Sequence, residues 1–69
     1  MEYVTNKVHQ LRLKKGITQE ELAEKVGVTR QTVIAIEKGN YTPSVILAIK
    51  IAGFFRKKVE EVFHYIHEK

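Results

Sequence analysis

The 69-residue sequence predicts an all-α fold, a compact bundle of five short helices. Three observations lead there. Five segments carry apolar residues at helical spacing. Gly16, Gly27, Gly39 and Pro43 fall between those segments, where chain breakers belong. No window alternates with period two, so no strand is expected.

The first segment, roughly Val4 to Lys15, has Val4, Val8 and Leu11 on one side. Lys14 and Lys15 suit a helix C-terminus, and Gly16 supplies a left-handed cap. The second opens with Thr18-Gln-Glu-Glu21, a capping box. Leu22, Ala23 and Val26 form its stripe and Gly27 ends it. The third starts at Thr29 as N-cap and runs to Lys38, with Gly39 as stop. The fourth has Thr42 as N-cap and Pro43 at the first helical position, and runs to about Phe55. The fifth, 58–67, has Val59, Val62, Phe63 and Ile66 at i, i+3, i+4 and i+7.

At this length one domain, residues 1–69, is expected. Such a chain buries only about 60% of its unfolded surface, so its core is thin. It has no Cys, so no disulfide staples the fold, and the lack fits a reducing compartment. Lys and Arg number 12 against 8 Asp and Glu, a net charge of +4. That excess suits a polyanionic partner such as nucleic acid, or simply a solvated surface. "MEYVTNKVHQ" has no apolar core of a signal peptide. The apolar stretch from Val45 to Phe55 is interrupted by Lys50 and is shorter than the roughly 20 residues a membrane span needs. A soluble, cytoplasmic protein is expected.

The link between the second and third segments carries the functional signal. Two helices crossing steeply over "GVT" need a small residue at the crossing, and Ala23 is there. They need a residue that accepts positive φ, and Gly27 is there. Leu22, Val26, Val28, Val33 and Ile36 anchor both helices inward. Residues Gln19 to Ile36 thus match a helix-turn-helix over its full length, with a core at 18–38. With Val33 and Ile36 inward, Gln31, Ala35 and Lys38 centre the outer face. Thr32 and Ile34 flank it, and Arg30 reaches out from the first turn. A recognition helix reads base edges in the major groove with its N-terminal residues. Arg suits guanine and Gln suits adenine.

The stretch "TQEELAEKVGVTRQTVIAIEKGNYTPS" resembles the Cro/repressor-type regulators, the xenobiotic-response-element family, in its minimal stand-alone form. The resemblance covers about residues 7–66. It implies a lambda-repressor-like five-helix DNA-binding domain. It further implies that Arg30, Gln31, Thr32 and Ala35 face the bases. By the same resemblance Gln19, Asn40 and Tyr41 would hold the DNA backbone and Thr29 would face the groove; Thr29 and Lys38 are expected to join the backbone contacts. Arg12 and Glu37 would form a partly buried structural ion pair. The chain departs from the family at "FFRKKVEEVF", where Arg56 and Lys57 replace a flexible glycine stop. The junction there is expected to be tighter or partly continuous.

Ile34 and Ile46 are unusually apolar. Ile46 with Ile49, Phe54 and Tyr65 are candidates for a dimer interface, and the fifth segment is a possible dimer element. Ile34 could instead touch a thymine methyl. His64 and His67 could share a metal on a helix, but no third ligand lies near; surface histidines, His9 included, are expected. No cofactor or small-molecule ligand is evident. With no Asp, no Cys and one serine, Ser44, there is no nucleophile–base pair, so an enzyme is not expected. Two readings stand. One is a sequence-specific regulator, a repressor, bound to double-stranded DNA as a homodimer. The other is a protein-interaction module, such as an antitoxin or adaptor, that keeps the fold.

Overall fold

The computed structural model describes residues 1–68. The order is β1 (Glu2–Asn6), α1 (Val8–Lys15), α2 (Gln19–Val26), α3 (Arg30–Lys38), α4 (Val45–Phe54), α5 (Val59–Val62) and β2 (Phe63–His67). Among the described residues five helices are present, but the fold is not all-α. The two ends of the chain pair as an antiparallel two-stranded sheet, from Glu2 opposite His67 to Asn6 opposite Phe63. The first helix therefore starts at Val8 rather than Val4. The fifth is a single turn that gives way to a strand at Phe63, so a helix over 58–67 is not formed.

The physical reason is non-local. "EYVTN" and "FHYIH" are rich in β-branched and aromatic residues that suit a pleated surface. Each finds its partner at the opposite end of the chain. Val4 and Asn6 of β1 turn inward while Thr5 stays exposed. His64 and His67 now lie on a strand, where residues three apart point to opposite faces, so they cannot share a metal. Among the described residues no group of three potential ligands converges on an ion site.

The helix ends follow capping chemistry. Thr18 Oγ1 accepts from the Glu21 amide at 3.0 Å, and the Thr18 amide donates to Glu21 Oε1 at 2.9 Å. This holds the exposed Glu21 carboxyl below the usual carboxylate range, chiefly through the Thr18 amide. Thr29 caps α3, accepting from the Thr32 amide at 3.3 Å. The cap of α4 is Ser44, two residues beyond Thr42, because its Oγ is the oxygen that meets the Leu47 amide, at 3.2 Å. At the questioned junction α4 does not continue. It stops at Phe54, Arg56 takes a left-handed conformation at φ 58°, and the Lys58 amide donates to Glu61 Oε1 at 2.8 Å to open α5.

The core joins all five helices. Val8, Leu22, Val33, Ile36, Ile51 and Val62 are fully buried. Each such side chain contributes about 1.5–3 kcal/mol. Leu11, Ile17, Val28, Phe54, Phe55, Val59 and Phe63 close over them. No helix among the described residues is long and apolar enough to cross a membrane.

One side chain fastens the sheet to this core. Asn6 Nδ2 donates to the Ile36 carbonyl near the end of α3 at 2.9 Å, and Asn6 Oδ1 accepts from the Val8 amide at 3.1 Å. Beside it, the Lys7 amide donates to the Val62 carbonyl at 2.9 Å. Replacing Asn6 by alanine leaves the Val8 amide without its acceptor and takes one of two donors from the Ile36 carbonyl, which keeps the Gly39 amide at 3.0 Å. Asn6→Ala is expected to cost about 1–3 kcal/mol in urea unfolding. A loss within error of zero would show that water takes over both bonds.

Candidate nucleic-acid interface

The helix-turn-helix is formed by α2, the turn Gly27–Val28–Thr29 and α3. Gly27 takes φ 77°, a left-handed backbone that a side chain would resist, and the Val28 amide returns to the Ala23 carbonyl at 3.0 Å. Ala23, 3% exposed, admits the crossing of the two helices. The turn therefore sets the angle at which α3 leaves.

The outer side of α3 begins with Arg30 and Gln31, both exposed. Among the described residues neither side chain makes a hydrogen bond within the protein. Thr32 is half-buried, its hydroxyl 3.1 Å from Thr29 Oγ1. Ala35 is half-buried and Lys38 exposed. Asn40 and Tyr41 are exposed on the loop after α3, where the Asn40 amide donates to the Ala35 carbonyl at 2.9 Å. Tyr41 comes back beside Thr32, lining one hollow with it, Val28 and Ile46. The loop thus stands next to the first turn of α3. Ile34, half-buried, lines a different hollow with His9, Gln19 and Lys38.

The inner end of α3 is locked. Arg12 Nε meets Glu37 Oε2 at 2.7 Å and Arg12 Nη2 meets Oε1 at 3.1 Å, a two-point contact. The side chains are 9% and 5% exposed. Arg12 Nη1 also donates to the Ile17 carbonyl at 3.0 Å, so one guanidinium joins α1, the α1–α2 turn and α3. Gln19 Nε2 donates to Glu37 Oε1 at 3.1 Å, and His9 Nδ1 lies 3.1 Å from the same oxygen. Burial pushes the Glu37 carboxyl up, but hydrogen bonds from Arg12, Gln19 and His9 outweigh it and leave the group below its ordinary value. The Arg12 guanidinium is correspondingly raised, first by its hydrogen bonds to Glu37.

Two of these contacts escape single-sequence reading. Gln19, which the resemblance assigned to a phosphate, spends its side-chain amide on Glu37. His9 joins the cluster while remaining exposed on its outer edge, and only the i, i+3 spacing of His9 and Arg12 hints at it.

The dimer candidates occupy separate elements. Ile46 and Ile49 stand on the open side of α4, 70% and 55% exposed, next to Val45 at 76%. Phe54 is half-buried, packed edge-on to Phe55 with Lys15 Nζ 5.2 Å from its ring centre. Tyr65 is exposed on β2, where its hydroxyl donates to Glu2.

A capped helix pair, crossing over a left-handed glycine and presenting unpaired Arg and Gln side chains from the second helix, defines the class of helix-turn-helix proteins. The helix-turn-helix family profile matches residues 8–62. The chain belongs to that family, as a small helix-turn-helix transcriptional regulator, and neither its fold nor its relatives are those of enzymes. It is 60% identical over 58 residues to the uncharacterized HTH-type transcriptional regulator YgzD of Bacillus subtilis, covering 84% of this chain and 88% of that one. It is 57% identical over 60 residues to an uncharacterized HTH-type transcriptional regulator of Methanocaldococcus jannaschii, covering 87% and 91%. Among solved structures it resembles the restriction-modification controller protein C.AhdI of Aeromonas hydrophila, with TM-score 0.74 and 31% identity, over 80% of this chain and 83% of that one.

Proposed function

We propose that the protein is a sequence-specific repressor that binds double-stranded DNA as a homodimer and reads the major groove with α3. The observation that carries this is the pairing of a free end with a fixed one. Arg30 and Gln31 project unpartnered from the first turn, while Glu37 and the Ile36 carbonyl tie the last turn to α1 and β1. Arg30, Gln31, Thr32 and Ala35 specify bases; Thr29, Lys38, Asn40 and Tyr41 set register on the phosphates. The Gln19 side chain gives one Nε2 hydrogen to Glu37 and keeps the other as a donor to a phosphate. Two copies joined over Val45, Ile46 and Ile49 would place two α3 helices on half-sites about one helical turn apart. Occupying a promoter in this way excludes the polymerase.

In vitro selection from random duplex DNA at near-physiological salt tests this directly. Enrichment of a two-fold-symmetric site is the expected result. Salt-sensitive binding with no enriched motif would instead favour an interaction module. On the selected site, Arg30→Ala is expected to cost about 1–3 kcal/mol and to relax preference at one base pair. Equal losses on all sequences, measured by fluorescence anisotropy, would reassign Arg30 to a phosphate.

A further inference from the structure

The reading face uses few of the chain's cations. Of its 12 Lys and Arg residues, Lys7, Lys14, Lys15, Arg56, Lys57 and Lys58 lie on α1, at its start and in the α4–α5 turn. Lys7, Leu11 and Lys14 follow one another at i, i+4 and i+7, on the side of α1 turned away from His9. Lys57 faces them from the turn. Two adjoining hollows of about 220 and 370 Å³ share Leu11, Lys14 and Lys57. The first is floored by Leu11 and Phe55, both half-buried, and rimmed by Lys14, Lys15 and Lys57. Glu61 closes the far end of the second, its carboxylate already accepting from the Lys58 amide. Among the described residues none of these lysines has a carboxylate within salt-bridge distance.

A second observation is independent of the first. The left-handed residues that end α1, α2 and α3 are all glycines, but the one that ends α4 is Arg56. An L side chain is disfavoured in this conformation and glycine is not. Arg56 itself lines neither hollow, but its left-handed backbone sits between two residues that do, Phe55 and Lys57.

We infer that the groove between α1 and the α4–α5 turn docks an acidic, amphipathic segment of a partner protein. Carboxylates of the segment meet Lys7, Lys14 and Lys57, while an apolar side chain covers Leu11 and Phe55. Charge complementarity selects the partner's sign, and the apolar floor favours a peptide over a nucleic-acid backbone, which has nothing to place on it. Such a partner would reach the regulator from a side that α3 does not use.

The test uses the full chain and a labelled amphipathic helical peptide of glutamate and leucine, with a glutamine-for-glutamate counterpart and a random DNA duplex as comparisons. Amide chemical-shift mapping is expected to place the acidic peptide on Leu11, Lys14, Phe55 and Lys57, and the glutamine peptide is expected to bind more weakly. Lys14→Glu combined with Lys57→Glu should weaken acidic-peptide binding about tenfold or more and leave the shifts that the duplex causes on α3 unchanged. Arg56→Gly should melt at a higher temperature, since glycine takes this backbone without strain. No peptide binding, peptide shifts confined to α3, or a duplex that occupies Lys14 and Lys57 as the peptide does would each overturn the inference. Peptide binding untouched by the Lys14→Glu, Lys57→Glu variant would also overturn it.

Discussion

Arg12→Ala is expected to lower the unfolding free energy by about 3–5 kcal/mol, because it leaves the Glu37 carboxylate buried without its counter-ion. Glu37 is 5% exposed, and the guanidinium satisfies both of its oxygens as well as the Ile17 carbonyl. Small domains hold only about 5–15 kcal/mol in total, so this variant should be close to unfolding. Replacing both partners, Arg12→Met with Glu37→Leu, should recover much of the loss, since two apolar groups leave no charge behind. Urea titration followed by circular dichroism separates the cases. A single-variant loss below about 1 kcal/mol would mean that Gln19 and His9 suffice to hold the carboxylate. The same site sets an acid limit. Glu37 has a lower pKa folded than unfolded. The native state therefore binds fewer protons, and stability rises with pH across the window. The contribution is fully present above the unfolded value, about 4.3, and disappears as pH falls through the folded one. Glu37→Gln should flatten that slope in part, Glu21 supplying some of the remainder.

Ile36→Ala is expected to cost about 2–5 kcal/mol, the range for truncating a fully buried aliphatic side chain. Ile36 has no exposed surface, and its own carbonyl holds Asn6. The substitution therefore opens a cavity beneath α3 at the point where the terminal sheet is attached. Ile34→Ala, at a half-buried position two residues away, should cost well under half as much. If the two variants unfold at the same urea concentration, the core does not centre on Ile36.

The helix-turn-helix was legible because its determinants are local. Thr18, Glu21, Ala23, Gly27 and Thr29 fix caps, crossing and turn within one short window, and Val33 and Ile36 fix which side of α3 faces out. The sheet was not legible for the opposite reason. Glu2 and His67 meet across almost the whole chain, and no window contains both. Val59, Val62, Phe63 and Ile66 satisfy helical spacing, yet only the first two are helical; the aromatic and β-branched content of "FHYIH" was the signal to weigh more heavily. Asn6 depends on that sheet, so its bond to α3 was equally out of reach. Thr42 and Ser44 both suit an N-cap, and only the position of the Leu47 amide separates them.

The pairing of the two chain ends gives the molecule a mechanical direction. Tension applied between residue 1 and residue 68 first meets the Met1–Glu68 pair, where the Glu68 amide donates to the Met1 carbonyl at 2.8 Å, and then opens the ladder from Glu2 with His67 inward, one rung at a time rather than all together. The last rung to open, Asn6 with Phe63, is also the one whose side chain grips α3. A pull on the termini therefore reaches the end of the recognition helix only after the sheet has parted, so the strands act as a fuse between whatever is attached to the chain ends and the surface proposed to read DNA.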